Sequence, residues 1–140
     1  MKLVIVESPY AGNIERNVAY ARAAMADCLR RGEAPLASHL LYTQPGILDD
    51  SIPEQRTLGI EAGLLWGAKA GLTAIYTDLG FSNGMCIGKE RAIAAGREVV
   101  AREVPIAALS LVLWPFMHGT GFPLALRHRM LEYAARQLRW

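Results

Sequence analysis

At 140 residues and 52% hydrophobic, the chain can bury about two-thirds of its unfolded surface in one domain and needs no disulfide or metal to hold it. Lys plus Arg number 15 against 13 for Asp plus Glu, which excludes the charge excess of a binder of nucleic acid polymers. Cys28 and Cys86 have no spacing for zinc or redox chemistry and read as buried free thiols, and the apolar stretch 106–126 is interrupted by Pro115, His118, Gly119, Gly121 and Pro123. With no charged-then-apolar leader either, a cytoplasmic protein without a membrane partner is expected.

The first strand is Leu3-Val4-Ile5-Val6, running into the turn Glu7-Ser8-Pro9-Tyr10-Ala11-Gly12-Asn13. Asn13 is a good N-cap for a helix in which Ile14, Val18, Ala21, Met25, Cys28 and Leu29 recur at helical spacing, and Gly32 is a good stop. The short apolar run 34–41, containing Ser38 and His39, reads as a second strand. A loop carrying Asp49, Asp50 and Ser51 leads to a helix that opens on Pro53 and Glu54, both favoured in a first turn, and continues to about Ala70.

In that helix Gly59, Gly63 and Gly67 recur every four residues, and each costs about 1 kcal/mol against alanine. The stripe therefore signals close backbone approach, either to the protomer's own sheet or to a second copy. Residues 72–77 form a third strand, followed by Asp78 and by Phe81-Ser82-Asn83-Gly84-Met85, which opens a helix ending near Gly96. Residues 97–104 alternate as an edge strand does, and Pro105 ends them. Residues 107–113 are almost wholly apolar and fit a central strand or a buried helical turn; residues 123–138 close the chain as an amphipathic helix, with Arg127, Arg129, Arg136 and Arg139 as a solvated basic end.

Alternating strand and helix units predict an α/β fold: a three-layer open, mostly parallel sheet of flavodoxin or Rossmann type, with helices on both faces. One domain spans 1–140, with 105–140 a C-terminal strand, loop and helix extension. Ligands of such sheets bind beyond the carboxyl ends of the strands. The chain places a polar collar there: Glu7, Ser8 and Tyr10 after the first strand, His39 and Tyr42 after the second, Asp78, Ser82, Asn83 and Gly84 after the third. The Ser82 helix start offers free N–H groups and the positive end of a dipole to a phosphate or carboxylate. Glu61 falls within an apolar pattern that would turn it inward, which makes it a candidate acid or nucleophile. Walker and Gly-x-Gly-x-x-Gly signatures are absent from the sequence.

Four pieces carry a resemblance: Val6-Glu7-Ser8-Pro9-Tyr10 with Gly12; the segment from Gly32 through His39-Leu40-Leu41-Tyr42; the helix Gly59-Ile60-Glu61-Ala62-Gly63-Leu64-Leu65-Trp66; and Ser82-Asn83-Gly84-Met85. Over residues 2–104 the chain resembles the nucleoside 2-deoxyribosyltransferase superfamily, which includes nucleotide N-glycoside hydrolases and many small, often phage-encoded members. The resemblance implies a flavodoxin-like sheet, a homo-oligomer such as a homodimer, a nucleoside or nucleoside monophosphate ligand, and no metal or cofactor. In the enzymes of that superfamily a helix carboxylate attacks or stabilises the anomeric carbon as the N-glycosidic bond breaks.

Carried over, the resemblance makes Ser8, Gly12, His39, Ser82, Asn83, Gly84 and Met85 nucleotide-binding, with Ser82 and Gly84 at the 5′ phosphate. The enzymes place their glutamate six residues after that serine, where this chain has Gly88. Glu61 is then the substitute carboxylate, with Tyr10 and Asp78 positioning the sugar. Two functions are expected on these grounds: an N-glycosidic bond hydrolase or transferase acting on a nucleoside monophosphate, or a non-catalytic protein that sequesters or senses a nucleotide. A third reading, a structural or host-interaction protein, rests only on Trp114-Pro115-Phe116-Met117.

Overall fold

The computed structural model describes residues 1–139. Four strands, β1 (Leu3–Glu7), β2 (Ala34–Leu36), β3 (Leu72–Tyr76) and β4 (Glu98–Arg102), form one sheet in the order β2-β1-β3-β4, all parallel. The order matches the first four strands of the flavodoxin-like arrangement and puts the switch point between β1 and β3. β3 is buried along its whole length, as a central parallel strand must be.

Helix α1 (Ile14–Arg30) starts where its cap predicts, with the Asn13 side chain accepting from the Arg16 N–H at 3.1 Å. It turns Tyr20, Ala23, Ala24 and Cys28 onto the face formed by Val4, Val6, Leu72, Ala74 and Tyr76. α5 (Ile106–Leu113) and α6 (Leu124–Gln137) complete that layer, supplying Leu109, Leu113, Leu126 and Met130 to the same core, with Met117 and Phe122 from the connection between them. Strand alternation sends Ile5, Glu7, Thr73 and Ile75 to the opposite face, where α3 (Pro53–Gly67) and α4 (Asn83–Ala94) lie.

Of two expected strands, one is cut short by a helix and the other is helical throughout. The run 34–41 pairs with β1 only through Leu36; the N–H groups of Leu40 and Leu41 then bond back to the Ala37 carbonyl, giving the one-turn helix α2 (Ser38–Leu41). Residues 107–113, the strand of the expected C-terminal extension, belong to α5: Leu109 and Leu113 are fully buried at helical spacing while Leu111 between them is 82% exposed. Pro105, placed just before the first turn, suits that start. Among the described residues, no helix is long and apolar enough to cross a membrane.

The glycine stripe faces the protomer itself. A Cβ at Gly63 would lie 2.7 Å from Ser38 Oγ, and Gly67 packs under the Arg97 guanidinium. Because the small residues make the contact, the larger ones of α3 turn out, and Leu58, Leu65 and Trp66 are exposed. Glu61 is exposed with them, contrary to the inward orientation expected from its apolar neighbours. Cys86 is also exposed rather than buried, whereas Cys28 is a buried thiol.

Candidate functional site

The carboxyl ends of β1 and β3 bring the collar together. Glu7 is the last residue of β1 and pairs with Ile75; strand alternation aims it at α4. A Cβ built on Gly88 would fall 2.6 Å from the Glu7 carboxyl carbon and 3.0 Å from Oε2. No side chain fits at position 88 while Glu7 occupies that space. Burial pushes the Glu7 carboxyl up to about 7, against a smaller pull downward from the Arg97 guanidinium. Arg97 itself is held by Thr73 Oγ1 at 2.8 Å and the Gly67 carbonyl at 2.7 Å.

On the other side of β1, Ser8 is buried, and its hydroxyl lies 2.8 Å from His39 Nε2. The helical turn of α2 makes this pairing possible, and burial drives the His39 imidazole down to about 4, so it is neutral at physiological pH. Tyr10 meets the His39 ring edge to face, with centroids 6.5 Å apart. The loop that carries Tyr10 is pinned from behind: buried Asn17 donates to the carbonyls of Tyr10 at 2.8 Å and Ala11 at 2.9 Å, and its own oxygen accepts from Arg16. Gly12 closes the loop at φ +93°, a conformation that costs glycine little.

The third strand's residues divide. Ser82 caps α4, its hydroxyl accepting from the Met85 N–H at 3.3 Å, and buried Met85 returns its sulfur to the Ser82 N–H. Asn83 and Gly84 form the first turn, where helical N–H groups have no partner within the helix. Asp78 sits apart, its side chain wholly buried and turned to the α1 side. Its Oδ2 accepts from Tyr20 Oη and the Val104 N–H, both at 2.9 Å, while Oδ1 makes no hydrogen bond and faces Arg129 of α6 at 3.5 Å. Burial raises its carboxyl above the usual range. These contacts describe a staple joining β3, β4, α1 and α6 rather than a group presented to a sugar.

Of the expected residues, then, Ser8, Tyr10, Gly12 and His39 gather on one side of the β1 end, and Ser82, Asn83, Gly84 and Met85 on the α4 side. Glu61, on the outer surface of α3, does not join them. Two members were not singled out from the sequence. Glu7 stood among the collar residues without a role, although a Glu at a strand end and a Gly where a helix carboxylate is expected are reciprocal signals. Asn17 had no signal beyond its place on α1.

Cavities lie beside this cluster. One of about 580 Å³ is walled by Tyr10, by α1 and by β2 and α2; another of about 480 Å³ shares Tyr10, Thr43 and Pro45 with it and is bordered by Asp49 and Asp50. Neither is lined by Glu7. Among the described residues, no group of three His, Cys, Asp or Glu side chains gathers as a metal site would require.

No curated protein and no solved structure matches the chain. Residues 2–102 match one protein family, described as a domain of unknown function (DUF7768), a span that holds the whole sheet, α1 to α4 and every member of the collar, and the chain belongs to that family.

Proposed function

We propose that the protein cleaves or transfers the base of a nucleoside monophosphate, with Glu7 as the carboxylate that acts at the sugar. The observation that carries this reading is the occupation of the space above Gly88 by the Glu7 carboxyl group. The resemblance calls for a carboxylate from the second turn of α4; β1 delivers one to the same place from across the crevice. On this reading a carboxylate is kept at the site despite Gly88, which speaks against the binding-only alternative.

In the proposed reaction a Glu7 oxygen bonds to C1′ as the C1′–N bond breaks, the bonding pair leaving with the base nitrogen, which takes a proton from water. Water, or a second base, then attacks C1′; the C1′–Glu7 bond breaks, the carboxylate departs with its electron pair, and the attacking group's proton passes to solvent. The first turn of α4, at Asn83 and Gly84, holds the 5′ phosphate, since its N–H groups and dipole favour an anion. Tyr10 and neutral His39 flank the base. The exposed Leu58, Leu65 and Trp66 of α3 are the face through which a homo-oligomer would form.

A panel of nucleoside monophosphates, with free base followed by chromatography, tests this. The parent is expected to release base and Glu7→Gln to lose at least about 100-fold in rate, while Glu61→Gln keeps it. Stable binding of nucleotides with no base released would establish the sequestering or sensing role instead. Because attack needs the ionised carboxylate, the rate should rise with pH through about 7; a rate that falls over that range would sink the nucleophile role.

A further inference from the structure

Tyr10 apart, no residue lining the 580 Å³ cavity has been given a role so far, and its walls specify an occupant. One side is an α1 stripe of Ile14, Val18, Arg22 and Met25; the other is β2 and α2, with Leu36 and Leu40; Tyr10 closes one end. The volume is that of a small-molecule site. A peptide strand is a poor fit. β2 is three residues long, Ala34 and Leu36 are registered inward on β1, and the single outward residue is Pro35, which has no N–H to offer.

Charge is unequal along this cavity. Arg22 is the one charged residue in its lining, and among the described residues it has no acidic partner within salt-bridge distance. Beyond Tyr10 the neighbouring compartment carries Asp49 and Asp50. Asp50 is paired with Arg56 at 2.7 Å, whereas the Asp49 carboxyl is bonded by uncharged Ser51, which holds it below the usual range, so the negative charge left at that end is Asp49's. An anionic head is therefore drawn to Arg22 and repelled from the Tyr10 end, and an apolar body must lie between.

We infer that the cavity binds a monoanionic amphiphile of the fatty-acid class, its carboxylate on Arg22 and its chain running along Val18 and Ile14 to Tyr10. Eight residues of helix separate Ile14 from Arg22, a rise of about 12 Å, which suits a chain of about ten carbons. Van der Waals contact with the apolar walls supplies affinity, and the guanidinium supplies the selection of head group.

The test is calorimetric titration of the full chain with decanoate below its micelle-forming concentration, with decanol as the uncharged probe. Saturable one-to-one binding of decanoate is expected, with decanol about tenfold weaker and Arg22→Gln removing the difference. Val18→Trp, which fills the cavity from a half-buried position on α1, should abolish both while leaving the circular dichroism spectrum unchanged. The inference is overturned if decanoate gives no saturable heat, if decanol binds as tightly as decanoate, or if Val18→Trp binds like the parent. A dimer that dissociates as decanoate binds would also overturn it, since the groove would then be an interface between copies.

Discussion

The two faces of the sheet are built to different standards. Under α1, α5 and α6 lie Val4, Val6, Tyr20, Tyr76, Leu109, Leu113, Met117 and Met130, nearly or fully inaccessible, and the two buried tyrosine hydroxyls there are engaged, Tyr76 donating to Asp27 at 2.7 Å and Tyr20 to Asp78 at 2.9 Å. Under α3 and α4 the burial is thinner. Ile5, Ile75, Met85 and Ala92 are covered, yet Glu7 and Arg97 share the layer and the larger side chains of α3 face outward. Stability is concentrated on the first face, while the second holds the buried Glu7 carboxyl, raised to about 7.

Removing residues 105–140 tests this contrast most severely. The family match ends at residue 102, but the excised part supplies Leu109, Leu113, Met117, Phe122, Leu126 and Met130 to the core. At about 2 kcal/mol for each of these six buried side chains, the loss of about 12 kcal/mol is as large as the whole stability of a typical domain, about 5–15 kcal/mol, and the truncated chain should show no cooperative thermal transition. A folded, soluble 1–104 fragment would show that the two faces are more equal than their packing indicates. Next in size, Leu113→Ala should cost about 3 kcal/mol by urea unfolding, while Leu65→Ala on α3 changes stability by less than about 0.5 kcal/mol.

Glu7 gives an effect of opposite sign. Its carboxyl ionises near 4.5 in the unfolded chain and near 7 in the fold, so folding is penalised progressively as pH rises from 4.5 to about 7 and fully above that. Glu7→Gln should therefore stabilise the protein at pH 8, by about 3 kcal/mol at most, with no gain at pH 4. His39 works in the other direction: held near 4 in the fold against 6.5 unfolded, it favours the fold above 6.5 and withdraws that support as pH falls toward 4. The two offset each other in the parent. Thermal melts of Glu7→Gln between pH 4 and 7 should expose the His39 slope once the opposing Glu7 contribution is gone. The smallest change, Tyr20→Phe, removes two hydrogen bonds, the one its hydroxyl donates to Asp78 Oδ2 and the one it accepts from the Asp78 N–H, and should cost about 2 kcal/mol, read as a shift in urea midpoint.

The long periodic elements could be read from sequence: β1, α1 with its Asn13 cap, β3 and α4 with its Ser82 cap lie where pattern and end signals put them, and their alternation leads to a parallel sheet with its collar at one edge. Two short apolar runs could not. Neither 34–41 nor 107–113 is long enough to separate a period of two from one of 3.6, and their helices were decided by what they pack against. Glu61 was misjudged because apolar neighbours were taken to mark the inside of α3, whereas its glycines make the contact. Glu7 needed three dimensions: a glutamate on a strand and a glycine on a helix 81 positions later become complementary only when β1 and α4 are laid side by side.

The Asn17 clamp has a bearing on how fast and how firmly a ligand could be taken. With both amide hydrogens committed to the Tyr10 and Ala11 carbonyls, the loop behind Tyr10 is ordered when the chain folds, so capture need not freeze it again. Ordering a loop residue costs about 1–2 kcal/mol, and a pocket whose rim is already still loses none of that from its affinity. Recognition at this edge would then proceed as docking onto a rigid surface, with the loop in its bound shape before any encounter.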